Sequence, residues 1–257
     1  MFKNLIKYYI ILINKMNIII KNDNFKIGQG QGEKDKTSFT IFFDSYNAAL
    51  IKSIAKTKII LGATTTEKYN TLSFKASSVL TFSDFQRYLE RENKTNKMSY
   101  NLLLKMTHNL VTQFNYLITH FSKTFLGFSP KNLIVIDKHK FIYLCDEFLL
   151  DIVEKEEKML ITFPFTREDF FWAPELLHVK ELPSHVHYKA SYFSFGCLLL
   201  HGLLGGCDLI DLNEEASLRQ ANVKRLLNAL FIKNTKVYWL LERCLVEDPK
   251  NRCILFV

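Results

Sequence analysis

The sequence predicts an α+β chain, with a small β-rich portion over residues 16–80 and a larger, mainly helical portion over residues 81–257. Three observations carry this. As far as residue 80, runs of β-branched and aromatic residues alternate with polar breaks. At Thr81 the apolar spacing lengthens to the period of a helix. After Pro174 helical patterning prevails. Of the 257 residues, 48% are hydrophobic and 14% aromatic, enough for one sizeable core and too apolar for a disordered chain.

In order along the chain, Asn17–Lys21, Ser38–Phe43, Lys58–Ala63 and Thr71–Leu80 read as strands. Gly28, Gly30 and Gly32 punctuate the first break. Residues 45–57 admit two readings: a strand, or a helix striped by Tyr46, Ala49, Leu50 and Ile54. Ser83, beside Asp84, is the expected N-cap of a helix bearing Phe82, Phe85, Tyr88 and Leu89. Residues 91–98 are polar and read as a loop. A long helix is expected from Ser99 to about Phe121, with Leu102, Leu103, Met106, Leu110, Phe114 and Leu117 on one stripe. Two short strands, Leu133–Ile136 and Phe141–Cys145, flank Asp137-Lys138-His139.

Residues 1–15 stand apart as an N-terminal extension. Lys3, Lys7 and Lys15 interrupt the apolar run, so a membrane span is not expected. Leu5, Tyr8, Tyr9 and Leu12 fall at helical spacing, which suits a peripheral helix. Met16, directly before the first strand-like run, offers an alternative start of translation.

The formal net charge is +8, with a pI near 9.1, yet no Lys/Arg block is dense. A nucleic-acid partner is therefore not expected; a solvated basic surface is, with an anionic membrane or acidic protein partners as the alternatives. Five cysteines without a CxxC suggest neither a disulfide framework nor a zinc site, and imply a reducing, intracellular setting such as cytoplasm or nucleus. The seven histidines form no HExxH, which leaves His185-Val-His187 as a weak metal candidate. There is no Walker A sequence and no GxSxG elbow.

Five segments, in order, resemble the protein kinase family over about residues 70–256. Ser129-Pro-Lys-Asn132 looks like the end of the catalytic loop, and Cys145-Asp146-Glu147-Phe148 resembles the DFG segment, with Asp146 fourteen residues after Asn132. Ala173-Pro174-Glu175 resembles the APE end of the activation segment. The run from Ser191 to Leu200 resembles the helix through the core of the large lobe, and Leu245 to Arg252 the segment whose arginine pairs with the APE glutamate. The resemblance implies a two-lobed kinase-like fold with a reduced β-rich N-lobe and a truncated helical C-lobe. It implies Asn132 and Asp146 as magnesium ligands and Glu175 with Arg252 as a structural ion pair. Gly28, Gly30 and Gly32 are candidates for covering nucleotide phosphates, though GxGxG is not the family's GxGxxG; a plain turn is the alternative. Lys52, in Ala49-Leu-Ile-Lys52, is the candidate phosphate lysine; a solvent-facing charge is the alternative. Glu67 is the acid nearest to the expected spacing for its partner.

The departures from the family decide the expected function. Counting back from Asn132, the HRD triplet falls on Phe125-Leu126-Gly127, so Gly127 stands where the catalytic aspartate belongs. Glycine can neither orient a substrate hydroxyl nor accept its proton. Leu126 replaces the family arginine, Ser191 the aspartate that braces the catalytic loop, and the DFG glycine is missing. The sequence therefore implies no catalytic residue. It implies Mg-ATP as a cofactor bound weakly or not at all, and a pseudokinase that works as an interaction or allosteric module on a protein partner. A divergent active Ser/Thr kinase is the alternative.

Overall fold

The computed structural model describes residues 16–32, 35–45, 47–66, 70–153, 155–165, 169–206 and 220–255. The expected extension at 1–15, as well as Tyr46, Glu67 and Cys207, lies outside the described residues. The fold is α+β with antiparallel sheets and, among the described residues, no helix long and apolar enough to cross a membrane.

The first sheet has five strands: β1 (Met16–Lys21), β2 (Phe25–Gly30), β3 (Ser38–Phe43), β4 (Thr64–Thr66) and β5 (Thr71–Lys75). Their order is β1-β2-β3-β5-β4, so β5 sits between β3 and β4. The chain leaves β3 through helix α1 (Ala48–Ala55), which Asn47 caps by accepting from the Leu50 N–H. The helical reading of 45–57 therefore holds for residues 48–55, because Leu50, Ile51 and Ile54 bury one face. Two expectations fail here. The stretch Lys58–Ala63 is turn rather than strand, and pairing begins only at Thr64. The glycines from 28 to 30 do not break the chain but lie within β2. A Cβ at Gly28 would come within 3.0 Å of the Met16 Cβ, and one at Gly30 within 2.7 Å of the Asp35 carbonyl. The neighbouring chain approaches too closely for a side chain, which is a common reason for glycine inside a strand.

A short sheet follows, made of β6 (Val79–Thr81), β8 (Leu133–Ile136) and β9 (Lys140–Tyr143) in that order. Helix α2 (Phe82–Asn93) starts directly from β6, and its cap is Thr81 rather than Ser83: the Thr81 hydroxyl accepts from the Asp84 N–H. Helix α3 (Tyr100–Phe121) is capped by Ser99 and carries the buried stripe Leu103, Met106, Leu110, Phe114 and Leu117. Fully buried Gln113 ties α3 to its neighbours. Its amide donates to Ser53 Oγ of α1 (3.3 Å) and to the Tyr143 carbonyl (2.8 Å), and accepts from the Tyr143 N–H (3.0 Å).

The second portion holds more strand than its sequence suggests. A four-stranded sheet forms from β7 (Lys123–Phe125), β10 (Leu149–Val153), β11 (Lys158–Ile161) and β12 (Ser184–His187), in the order β12-β11-β10-β7. Helices α4 (Pro174–Leu177), α5 (Ala190–Leu204), α6 (Gln220–Ala229) and α7 (Lys236–Cys244) complete the described chain. Helix α5 is apolar nearly all round and is buried along most of its length, as expected of a helix inside the core. Cys145, Cys197 and Cys244 are buried, and desolvation pushes their thiols up, the first two to about 12, so they pack as small hydrophobes.

Candidate functional site

Residues 125–132 form the loop that the resemblance assigns to catalysis. It leaves β7 as an irregular segment and ends in a single 3-10 turn, Pro130–Asn132, whose N-cap Ser129 accepts from the Lys131 N–H. Tyr143 of β9 holds the loop from below. Its hydroxyl accepts from the Ser129 N–H (2.9 Å) and donates to the Gly127 carbonyl (3.3 Å). Burial raises the Tyr143 phenol well above its ordinary pKa, so it stays protonated and keeps that donor. Leu126 is fully buried.

Gly127 faces the indole of Trp172. A Cβ at 127 would lie 2.7 Å from Cε3 of that ring and closer still to Cζ3. Trp172 is itself fully buried and boxed by Phe148 (5.4 Å between ring centroids, edge-on), Phe165 (4.9 Å) and Phe170 (5.1 Å, stacked). The space that any side chain at 127 needs is therefore filled by a ring with little room to retreat.

Serines of α5 brace the loop. Ser191 accepts from the Thr124 hydroxyl (3.1 Å) and donates to the Tyr188 carbonyl (2.7 Å). It thus holds β7 rather than the loop. Ser194, one turn on, accepts from the Phe128 N–H (2.6 Å) and donates to the Phe171 carbonyl. Phe128 and Phe171 also form an isolated antiparallel bridge, so one hydroxyl links the loop, the segment before Ala173 and the core helix. Sequence reasoning noted Ser191 as a departure from a bracing aspartate and did not single out Ser194; the spacing of three along α5 was the available signal.

A cavity of about 370 Å³ opens beside the loop, between the β1–β2 turn and Ser129–Asn132. Lys21, Asp23, Lys131, Glu147 and Asp169 bring mixed charge to its walls, and Lys131 pairs with Asp169. Asn132 lines it, and its Oδ1 accepts from the Asn22 amide (3.1 Å), which also reaches the Lys131 carbonyl (3.1 Å). Asp146 accepts from the Ser45 hydroxyl. Lys52 is exposed on α1 and does not line this cavity. Gly28 and Gly30 lie in β2, and Gly32, with φ +113°, in the turn after it. The turn that borders the cavity is Asn22-Asp23-Asn24 instead. Among the described residues no three His, Cys, Asp or Glu side chains gather as a metal-holding group. His187 lies 3.5 Å from Glu157; its imidazole pKa is lowered, mainly by desolvation, so it stays neutral. Asn132 Oδ1 is thus bound by Asn22, while Gly28, Gly30, Gly32 and Lys52 do not line this cavity.

Glu175 and Arg252 meet at the far side of Ala173. The guanidinium is fully buried and donates through both terminal nitrogens to the carboxylate, at 2.6 and 2.9 Å. It also donates to the carbonyls of Val246 (2.7 Å), Glu247 (2.7 Å) and Lys189 (3.3 Å), and lies 5.1 Å from the Phe193 ring. The paired geometry suits arginine and no other cation.

Compared with known proteins, the chain matches no family model, and no curated protein matches it significantly.

Proposed function

We propose that this chain is a catalytically impaired protein-kinase-like protein whose work is to bind another protein inside the cell. The observation that carries the reading is the packing of Trp172 over Gly127. It joins the loss of a catalytic carboxylate to a filled volume, so the position is not one substitution away from chemistry. Further support comes from a helix that follows the third strand, as the family's glutamate-bearing helix does, and from the buried pair Glu175–Arg252. Magnesium-nucleotide binding is weak or absent in this reading, because Asn22 engages Asn132 and Lys52 faces solvent.

The test is a radiolabelled ATP assay on the purified chain, paired with a thermal-shift titration of ATP with and without magnesium. The expected result is no transfer to itself or to peptides, and no magnesium-dependent shift. Transfer that disappears in Asp146→Ala, or low-micromolar ATP binding that weakens in Lys52→Ala, would overturn the reading.

A further inference from the structure

His187 ends β12, three residues before α5 begins, and its side chain is only 12% exposed. Its Nδ1 accepts from the backbone N–H of Lys189, two residues on (3.2 Å). A backbone N–H can only donate, so Nδ1 carries no proton. The single ring proton is then on Nε2, which lies 3.5 Å from the Glu157 carboxylate in the β10–β11 turn. The Tyr188 ring stacks beside the imidazole (5.3 Å between centroids), and the Tyr188 N–H donates to the Glu157 carbonyl (3.0 Å). In this arrangement a second ring proton can enter only by displacing the Lys189 N–H.

Lys189 is the N-cap of α5, and no side chain caps that helix. Its carbonyl accepts from the Tyr192 N–H in the first turn (3.1 Å) and from Nη1 of Arg252 (3.3 Å). Its ammonium donates to the Lys250 carbonyl (3.2 Å). One residue therefore joins β12, the head of the core helix and the segment that carries the buried guanidinium. A depression of about 590 Å³ between α4 and β12, with His187 in its wall, gives a proton its way in.

We propose that His187 is a proton-sensitive tether: neutral, it fixes the head of α5 to β12, and protonated, it releases the Lys189 N–H and loosens the seat of Arg252. The surrounding groups set the direction. Burial disfavours the imidazolium most; Glu157 and Glu175 favour it, and Lys189 and Arg252 oppose it. Lys158 stands opposite on β11, and His178, Lys180, Glu181 and His185 line the same depression. Among the described residues, His185 and His187 gather no third metal ligand. The net effect holds the ring's pKa below its ordinary 6.5. The tether is therefore fully made above pH 6.5, and its contribution is lost as pH falls through 6.5 to the lower value of the folded state.

The test is an NMR titration of the whole chain from about pH 7.5 to about pH 5. It follows the ring nitrogens of His187 and the hydrogen exchange of the Lys189 amide, corrected for the intrinsic pH dependence of exchange. The expected result is an Nε2–H tautomer at the upper end and a ring midpoint below 6.5. Protection of the Lys189 amide should fall about tenfold with that same midpoint, as suits the loss of one hydrogen bond. His187→Asn discriminates further. An asparagine side chain accepts from the N–H two residues on and takes up no proton, so Lys189 should stay protected across the range. A proton on Nδ1 at the upper end, a midpoint at or above 6.5, or Lys189 protection that does not follow the ring overturns the proposal. So does an equal loss of protection in His187→Asn, which would assign the response to another group. The titration of the parent needs no variant, so it decides the matter even if His187→Asn fails to fold.

Discussion

The indole of Trp172 lies where a side chain at Gly127 would have to go, with Cε3 2.7 Å from the place a Cβ would take and Cζ3 closer still. Phe148, Phe165 and Phe170 close around the ring, so it has little freedom to yield. Gly127→Ala is therefore expected to destabilise the fold by about 1–3 kcal/mol, the usual cost of overpacking. Trp172→Ala should cost about 3–5 kcal/mol through the cavity it leaves. The double variant should cost less than the sum, because the second change gives the added methyl its space. Urea unfolding of the four proteins measures the cycle. Additive losses would mean that the two residues do not compete for one volume.

Ser194→Ala should cost about 1–3 kcal/mol, because it strips the Phe128 N–H and the Phe171 carbonyl of a buried partner. Hydrogen exchange should accelerate at the Phe128 amide, which loses its acceptor, and at the neighbouring Ser129 amide as the loop loosens. Ser191→Ala should leave those two amides protected, since its contacts run to Thr124 and Tyr188. Equal deprotection by both variants would show that the brace is shared.

Much of this layout was open to sequence reading, and the parts that were not have physical causes. Helices α2 and α3 were legible because one polar residue caps each and a long apolar stripe follows. The hairpin from 133 to 143 was legible because two apolar runs flank a polar turn. Strand β2 was hidden, since glycine reads as a break unless the chain that crowds Gly28 and Gly30 is known. Strands β10 to β12 were hidden too: β10 and β11 form a local hairpin, but exposed Val153 and Leu160 blur their alternation, and their outer partners β7 and β12 lie far off in sequence. In the candidate site, the glycine at 127 was legible, but the Trp172 ring that fills the space beside it was not. Complementary volume leaves no pattern along one chain.

A pH dependence follows from Asp137. Partial burial works to raise its carboxyl pKa, but hydrogen bonds from Lys140 Nζ (2.8 Å), the Ser77 N–H (2.7 Å) and the Ser77 hydroxyl (2.8 Å) outweigh it. The net effect lowers it from 3.8 to about 2. A depressed folded pKa means that the charged carboxylate stabilises the fold fully above 3.8, and that this contribution is lost as pH falls through about 2. Asp137→Asn should therefore be less stable than the parent near neutral pH, and the gap should narrow as pH drops below about 4. Urea midpoints for both proteins across that range give the readout. A gap that stays constant with pH would mean that the carboxylate's charge contributes nothing there.

The pair Glu175–Arg252 offers the sharpest test of how the chain's end is tied to its middle. Glu175→Ala leaves a fully buried guanidinium without its carboxylate, a loss of about 3–5 kcal/mol. Arg252→Ala should cost at least as much, because the carbonyls of Val246, Glu247 and Lys189 lose their donor as well. The double variant should cost less than the sum, since each single change strands the other partner. Arg252→Lys should rescue little: an ammonium cannot span both carboxylate oxygens and also reach the Val246 and Glu247 carbonyls, which the guanidinium does at 2.6–2.9 Å. Chemical unfolding of the four variants decides the matter. Full rescue by lysine would reduce the contact to a simple charge attraction, and strict additivity would mean that Arg252 draws its stability from the carbonyls alone.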